Sequence, residues 1–578
     1  MQGAKKIDPE VDRLFTQQMP PTCACKASRI LPCGDPTVET SLPLSDSTRR
    51  ILEKMQDVIG DVIQMKMNQL PDLTLATFRE EYLKLDSESR QMALLLLATQ
   101  FGVNAGVSLE NLVTSHSEDK CDALENVRCR TEHDFFLCTP CLFTARLFEQ
   151  INGEPWGLKF LLQLRTDVIA AIKEKNLSAL HALDAELKGM FERLLVPACL
   201  QVKQITWENS APLLEMIVAK EILHSIRNMD DLKRRLSAGR RCYGYFHPAV
   251  PGPLYWNLIP GMSKSVEAPA HTSWPCAAPY TAPPLYLLDT HSLLPAGLLE
   301  EQAYPRGCEP VTFCELALSN KLEGSIQSIL YDEPPIAEEA ATTAIFYAIA
   351  HTQTGLAGIE IGDSLIKTVI RVLRQDNPRI QTFCTLSPVL GFSQWLLPEL
   401  ESQIRFAQVD SESSRESDGV PASKENLLLP EEQDILVKAC SEFSIGGESR
   451  SGLQIMRELL SSPGHEWAKS ANVAVALRAP LMRLCARYLI LEKKDGRALE
   501  FITNFHVLNG ASVERLNWMG DTSHKALEQS AGMMVNYMYR LENLDTNTQL
   551  YLNKGIISVS PAIEEYLHGL VYSEKQEM

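Results

Sequence analysis

The run from Ile345 to Gln375 carries the most chemically suggestive spacing in the chain. A β-rich segment leads into Gln353-Thr354-Gly355-Leu356-Ala357-Gly358-Ile359-Glu360-Ile361-Gly362-Asp363, and a helical pattern follows. A strand, a glycine-spaced turn and a helix N-terminus together present free backbone N–H groups to an anion, and glycines let the backbone come close to a pyrophosphate. Spacing alone leaves two readings open: an anion cradle, or Gly355, Gly358 and Gly362 as punctuation of a strand-to-helix turn. The run differs from the dinucleotide fingerprint and from the Walker loop, since no Gly-Lys-Ser/Thr follows. His506, in Asn504-Phe505-His506-Val507-Leu508-Asn509-Gly510, has the residue type of a general acid or base near neutral pH, although one histidine among 12 is more often a surface or satisfied core residue. Ser387, in Thr385-Leu386-Ser387-Pro388, sits just past a strand where an exposed hydroxyl is natural, and serine before proline is also a routine turn residue.

Cys138-Thr139-Pro140-Cys141, with Cys121 and Cys129 upstream, raises the question of zinc. A second pair at regular spacing is missing and His133 completes no ligand set, so free thiols and no metal are expected. Trp518, Tyr537 and Tyr539 could line a pocket, but aromatic residues at such spacing are usually core.

These residues need elements to hold them. Residues 1–44 contain Pro20, Pro21, Pro32, Pro36 and Pro43 and read as a flexible leader. From Ser45 the pattern turns helical: Ile51, Leu52, Met55, Val58, Ile59, Val62 and Ile63 recur at three-to-four spacing. The same period returns over Gln91–Phe101, Leu158–Ile172, Leu177–Leu195 and Leu213–Ile226, so 45–236 reads as a helical domain. Beyond Leu236 the texture changes to short strand-like runs, Cys242–His247, Val311–Leu318, Ala344–Ala350 and Thr382–Leu386, separated by helical Asp363–Gln375 and Val473–Leu491. Residues 237–578 therefore read as a unit with a sheet and interleaved helices. Residues 251–307, with ten of the 33 prolines, fit neither element and read as an insertion. Asp410–Asp418, acidic and serine-rich, reads as an exposed linker.

With 578 residues, more than one core is expected. A net charge of −18 argues against a nucleic-acid surface and makes any anionic ligand depend on a local positive site. Fifteen cysteines without a signal peptide ahead of them read as reduced thiols rather than a disulfide framework. The opening MQGAKKIDPEVDRLF has early Asp8, Glu10 and Asp12 and no apolar h-region, and the closing KQEM is not a peroxisomal Ser-Lys-Leu, so a cytoplasmic location is expected. No apolar run reaches transmembrane length, and no membrane association is expected.

Taken together, several segments resemble the malonyl-CoA decarboxylase family, whose catalytic domain is related to the GNAT acetyltransferases. They are LKFLLQLRTDV, DDLKRRLSAGRRCYGYFHPAVPG, AIFYAIAHTQTGLAGIEIGDSLIKTVI, TLSPVLGFSQWLL, APLMRLCARYLI, NFHVLNGASVERLNWMGD and GMMVNYMYRLE, in order over roughly 155–545. The resemblance implies an all-helical, self-associating N-terminal domain followed by a GNAT-like mixed-sheet catalytic domain, an α+β/α/β two-domain chain. It implies malonyl-CoA held by the loop Ala357, Gly358, Ile359, Glu360, Ile361, Gly362 and Asp363, with Ser387 as proton acceptor, His506 as proton donor, and Glu360 and Tyr539 at pocket positions. It implies decarboxylation to acetyl-CoA and CO2 in fatty acid metabolism, without a separate cofactor because the thioester itself takes up the electrons. Family members are also mitochondrial and peroxisomal.

This sequence departs from the family's pattern in places. Phe346-Tyr347-Ala348 stands where relatives often have Phe-Tyr-Ser, and 251–307 and Cys129–Phe143 stand as insertions. Two other classes share these features: a CoA-dependent acyltransferase, which would use the same loop, and a catalytically inactive helix-rich interaction protein.

Overall fold

The computed structural model describes residues 72–100, 141–154, 156–251, 308–331, 336–412, 426–441 and 450–568. The leader, the helix read over Ile51–Ile63, the insertion apart from Pro251, Cys129–Pro140 and most of the Asp410–Asp418 linker lie outside these residues.

Amphipathic periodicity becomes helix in the first half: α1 (Asp72–Lys84), α2 (Ser87–Gln100), α3 (Cys141–Gly153), α4 (Gly157–Lys175) and α5 (Ser178–Leu194). Leu158, Phe160, Leu161, Leu162, Leu164 and Val168 are all buried on α4, which makes it the central helix of the group. Phe160 meets Phe78 and Tyr82 of α1 edge-on, with ring centroids 6.1 and 5.6 Å apart. The chain leaves α4 through Asn176 in the left-handed region at φ 40°, a conformation asparagine tolerates better than most residues.

A sheet follows, from β1 (Gln201–Ile205), β2 (Arg240–Pro251), β3 (Cys308–Ser319), β4 (Thr343–His351), β5 (Thr382–Thr385), β6 (Ser387–Pro388), β7 (Ser512–Asn517) and β8 (Met534–Met538). Their spatial order is β1-β2-β3-β4-β5-β8-β6, with β7 also on β8, and the β4–β5 pair is parallel while the others are antiparallel. All four strand-like runs of the second half lie at sheet strands. β1 corrects the reading of 45–236 as helical throughout: QVKQI is mostly exposed and short, so it carries neither period, and only pairing with Cys242–Phe246 makes it a strand. The helix read over Leu213–Ile226 is shorter, α6 (Ala211–Lys220). It stops because the next residue, Glu221, turns its carboxylate to accept the His224 amide at 2.7 Å.

Helices cover both faces of the sheet. On one, α6 and α7 (Met229–Arg235) bury Leu213, Leu214, Ile217 and Leu232 against Cys242, Phe246 and Phe313. On the other lies α8 (Gly362–Asp376), whose Leu365, Ile366, Val369, Ile370 and Leu373 face the sheet. Each such buried aliphatic side chain is worth about 1.5–3 kcal/mol. β4 alternates Ala344 and Phe346 into the α8 core and Ile345 and Tyr347 into a separate cluster with Ile326, Ile329, Cys384 and Leu386. Three more helices complete the frame used below: α9 (Phe392–Glu412), α10 (Ala471–Ile490) and α11 (Phe501–Leu508). Helical first half and mixed sheet with helices are as the sequence implies.

Candidate active site

β4 and β5 run parallel from Thr343/Thr382 to Phe346/Thr385, closed by the Leu386 amide on the Phe346 carbonyl at 2.9 Å. There they part. β4 continues along β3 to His351, whereas Ser387 and Pro388 turn to pair with Val535 and Met534 of β8. Diverging parallel strands open a crevice at their C-terminal ends, the usual ligand position in sheets of this kind.

Ser387 stands at this divergence, 6% exposed. Its Oγ lies 3.2 Å from His506 Nε2, and His506 Nδ1 lies 2.8 Å from the Tyr539 hydroxyl. Ser387 also donates to Thr385 Oγ1 at 2.9 Å, an oxygen that takes the Tyr537 amide at 3.2 Å. With the Ser387 hydrogen directed to Thr385, Oγ accepts from Nε2–H, and Nδ1 then accepts from Tyr539. The His506 ring lies against Tyr537 (centroids 4.3 Å, 29° between planes), whose hydroxyl is 2.6 Å from Thr503 Oγ1, and Phe505 closes it edge-on at 5.0 Å. Burial drives the His506 pKa down to about 3 and pushes the Tyr539 hydroxyl well up, the latter reinforced by the Asp363 charge. The whole chain of groups is therefore neutral at pH 7.

The glycine run is a turn welded to the helical half. A Cβ at Gly355 would stand 2.1 Å from the Leu162 carbonyl oxygen, so the close approach to α4 requires glycine. Arg165, itself on the Asp184 carboxylate at 2.8 Å, donates to the Gly355 carbonyl at 2.5 Å. Gly358 takes φ +73°, and Lys188 of α5 brings Nζ to 3.7 Å from where its Cβ would be. The amides of Leu356, Ala357, Ile359 and Ile361 are used within the turn, and those of Gly358, Glu360 and Gly362 fall outside that set. Glu360 is exposed, while Ile359, Ile361 and Gly362 are buried. Asp363 Oδ1 is buried without a partner among the described residues, and burial raises its pKa.

The structure thus brings Ser387, His506 and Tyr539 together and places the 357–363 turn at the end of β4, before α8. The residue profile of the malonyl-CoA decarboxylase C-terminal domain matches 198–259 and 305–577, and that of the N-terminal domain matches 143–194. The chain belongs to the malonyl-CoA decarboxylase family. It is 32% identical over 510 residues to the mitochondrial malonyl-CoA decarboxylase of Anser anser anser, covering 86% of this chain and 84% of that protein. The Rattus norvegicus mitochondrial enzyme is 32% identical over 423 residues, 72% of this chain and 69% of that one. Crystal structures of malonyl-CoA decarboxylases from Agrobacterium vitis and Rhodopseudomonas palustris superpose with TM-scores of 0.60 each, at 26% and 25% identity, over 89% of this chain and 99% of theirs.

Ala348, the departure noted in the sequence, is buried at 2% in an apolar cluster with Tyr347, Cys384 and Leu386. Thr385, Thr503, Arg165 and Lys188 were not singled out from the sequence. Thr385 was findable, because it lies two residues before Ser387 and a strand returns side chains to one face with that period. Tyr537 and Tyr539 share a face for the same reason, whereas Trp518 packs elsewhere, 6.2 Å from Trp467. Arg165 and Lys188 come from the helical half, and nothing local marks them. Cys138 and His133 lie outside the described residues, and among those described no three His, Cys, Asp or Glu side chains could hold a metal ion.

Proposed function

We propose that this chain converts malonyl-CoA to acetyl-CoA and CO2, with Ser387 and His506 as the reacting pair and Tyr539 behind them. The observation that carries the reading is the Ser387–His506–Tyr539 chain, buried and neutral, at the mouth of two diverging strands beside the glycine turn. The C2–carboxylate bond breaks, its electrons pass into the thioester carbonyl, CO2 leaves, and an enolate remains. Neutral N–H and O–H donors stabilise the enolate oxygen by a few kcal/mol each, roughly, in a site that excludes water. C2 takes its proton from His506 Nε2–H, directly or through Ser387 Oγ. Tyr539 protonates Nδ1 as the Nε2 proton leaves and takes that proton back when solvent reprotonates Nε2, so the starting tautomer is restored and one solvent proton balances each CO2 lost. The malonyl thioester is the electron acceptor, and the reading needs no separate cofactor.

The substrate's diphosphate is assigned to the Ala357–Asp363 turn, supported by its glycine geometry and by the Lys188 ammonium beside Gly358. Helices α1–α5 are assigned to self-association, as the resemblance implies, and sedimentation of the full chain checks it. The GNAT-like description of the sheet-bearing half stands in the same way, supported by the β4–β5 divergence, and its start is drawn back from 237 to the segment before β1, since β1, α6 and α7 pack into that sheet. The break in the profile match between 259 and 305 supports an insertion at 251–307. Unpaired thiols at Cys242, Cys314, Cys384 and Cys485 suit a reducing compartment. Cytosol is the proposed location, and fractionation against the mitochondrial placement of the named relatives checks it.

Product analysis tests the activity. Equal yields of CO2 and acetyl-CoA from malonyl-CoA alone are expected. Acetyl transfer to an added amine without CO2 would instead indicate an acyltransferase, and acyl-CoA binding without turnover an inactive interaction protein.

A further inference from the structure

We propose that Glu500 is a positioning residue that sets the spacing of Ser387 and His506. Five residues separate it from His506, and it stands immediately before α11, the helix that carries the imidazole. Its carboxylate reaches across to the other partner's segment: Oε2 accepts the Gly391 amide at 3.0 Å and Oε1 the Leu390 amide at 3.4 Å, just past Ser387. A third donor, the Tyr488 hydroxyl on α10, reaches Oε2 at 2.8 Å. Tyr488 is itself held between Phe392 and Trp395, at centroid distances of 5.9 and 5.4 Å. Glu500 is 2% exposed.

A buried carboxylate is costly unless several donors converge on it, and here two of the donors, the Leu390 and Gly391 amides, belong to the segment that must be kept in register with α11, while Tyr488 anchors the carboxylate to α10. The turn after Ser387 is seated on this carboxylate without spare room: a Cβ at Gly391 would stand 2.2 Å from the Tyr488 hydroxyl and 3.2 Å from Glu500 Oε2. At 3.2 Å the Ser387–His506 contact is at the long end of a hydrogen bond. Small shifts of either backbone segment therefore decide whether it survives. Glu500 touches neither side chain of the pair and acts through the backbone alone.

The inference rests on the pair proposed above, and the experiment separates the two. Glu500→Gln keeps the volume but replaces one acceptor oxygen with a donor facing a backbone N–H. Its kcat for malonyl-CoA is expected to fall about 10- to 100-fold while KM stays within about 2-fold, since misplacement of reacting groups costs rate rather than uniform binding. Acetyl-CoA affinity by calorimetry should be unchanged. Placed on Ser387→Ala, the same change should cost less than about 3-fold further, because a group acting through the pair has little left to act on. Tyr488→Phe, which removes one donor without touching the backbone contacts, should show the same split at smaller size, and it provides the readout should Glu500→Gln not fold. A parallel loss in kcat and affinity, an unchanged kcat, or a full multiplicative loss on Ser387→Ala overturns the proposal. A Ser387→Ala enzyme with undiminished kcat would instead overturn the pair.

Discussion

Two buried polar clusters lie on this sheet, and they are built on opposite electrical plans. Around Ser387, the partners His506, Tyr539, Thr385, Tyr537 and Thr503 are joined by hydrogen bonds between neutral groups. Around Arg235, carboxylates crowd one guanidinium: Asp231 takes Nε and Nη2 at 3.0 and 3.3 Å, Glu315 takes Nη1 at 3.1 Å, and Glu221 adds its field. In the second cluster Glu221 Oε2, His224 Nε2, Glu315 Oε1 and the Tyr347 hydroxyl have no partner among the described residues. A neutral, internally bonded pocket can receive a developing enolate charge without displacing one already there. The Arg235 cluster already holds a buried cation and leaves several polar atoms unpartnered, and its Arg235–Glu315 contact fastens α7 to β3. Buried polarity thus marks two different roles, and pairing rather than burial tells them apart.

Breaking each cluster should therefore give different readouts. Ser387→Ala and His506→Ala are expected to lower kcat by about 10²–10⁴-fold with the thermal unfolding midpoint changed far less. The wild-type pH–rate profile should show no acid limb near 6.5, because burial holds the imidazole neutral down to about 3. A limb at 6.5 that disappears in His506→Ala would refute the neutral-pocket reading. Arg235→Met leaves Asp231 and Glu315 buried without their cation and should destabilise the fold by about 3–5 kcal/mol in urea titration. Its kcat per folded molecule should stay near wild type. A kcat loss matching that of Ser387→Ala would merge the two regions into one site.

The contrast also explains what could be read from the sequence. The helix α8 was legible because one face is buried and its apolar residues repeat at the helical period, and β4 because a short apolar run rich in β-formers is buried on both faces. β1 was not, because its pairing to β2 is supplied by the sheet and not by its own side chains. The pair Ser387 and His506, 119 residues apart, came from the resemblance, for no local pattern joins a serine before a proline to a histidine in a helix. Thr385 was one strand period away from Ser387, and Tyr537 was in view beside Tyr539 but read as core. The Arg235 cluster was out of reach: Glu221, His224, Asp231 and Glu315 look like ordinary surface residues until the sheet and two short helices enclose them.

The glycine turn lies between these extremes, since the proposed diphosphate site would draw its cation, Lys188, from the helical half. Lys188→Ala should raise KM for malonyl-CoA about 5-fold, in keeping with one exposed charge-assisted contact, and leave kcat unchanged. Malonyl-pantetheine, which lacks the diphosphate, should show no KM change. An equal change for both substrates would remove Lys188 from the phosphate site.

The smallest effect expected is a slope. Burial and the neighbouring Glu221 carboxylate push Glu315 up to about 8 despite Arg235, while burial pulls His224 down to about 4. The native state therefore keeps a proton on Glu315 that the unfolded chain, with an ordinary glutamate near 4.5, has released. This contribution is fully present below about 4.5 and is lost as pH rises toward 8. His224 works in the other sense, since the unfolded imidazole binds a proton up to 6.5 that the native one gives up above about 4, so its contribution grows across that span. The two oppose each other up to 6.5, and between 6.5 and 8 the carboxylate acts alone of the two. Stability by urea titration should fall across that upper window in the wild type and fall less in Glu315→Gln, whose amide copies the protonated acid. Equal slopes would mean that Glu315 is ionised throughout, with Arg235 holding both carboxylates, and the ionic cluster would then differ from the catalytic one in the sign of its charge as well as in its pairing.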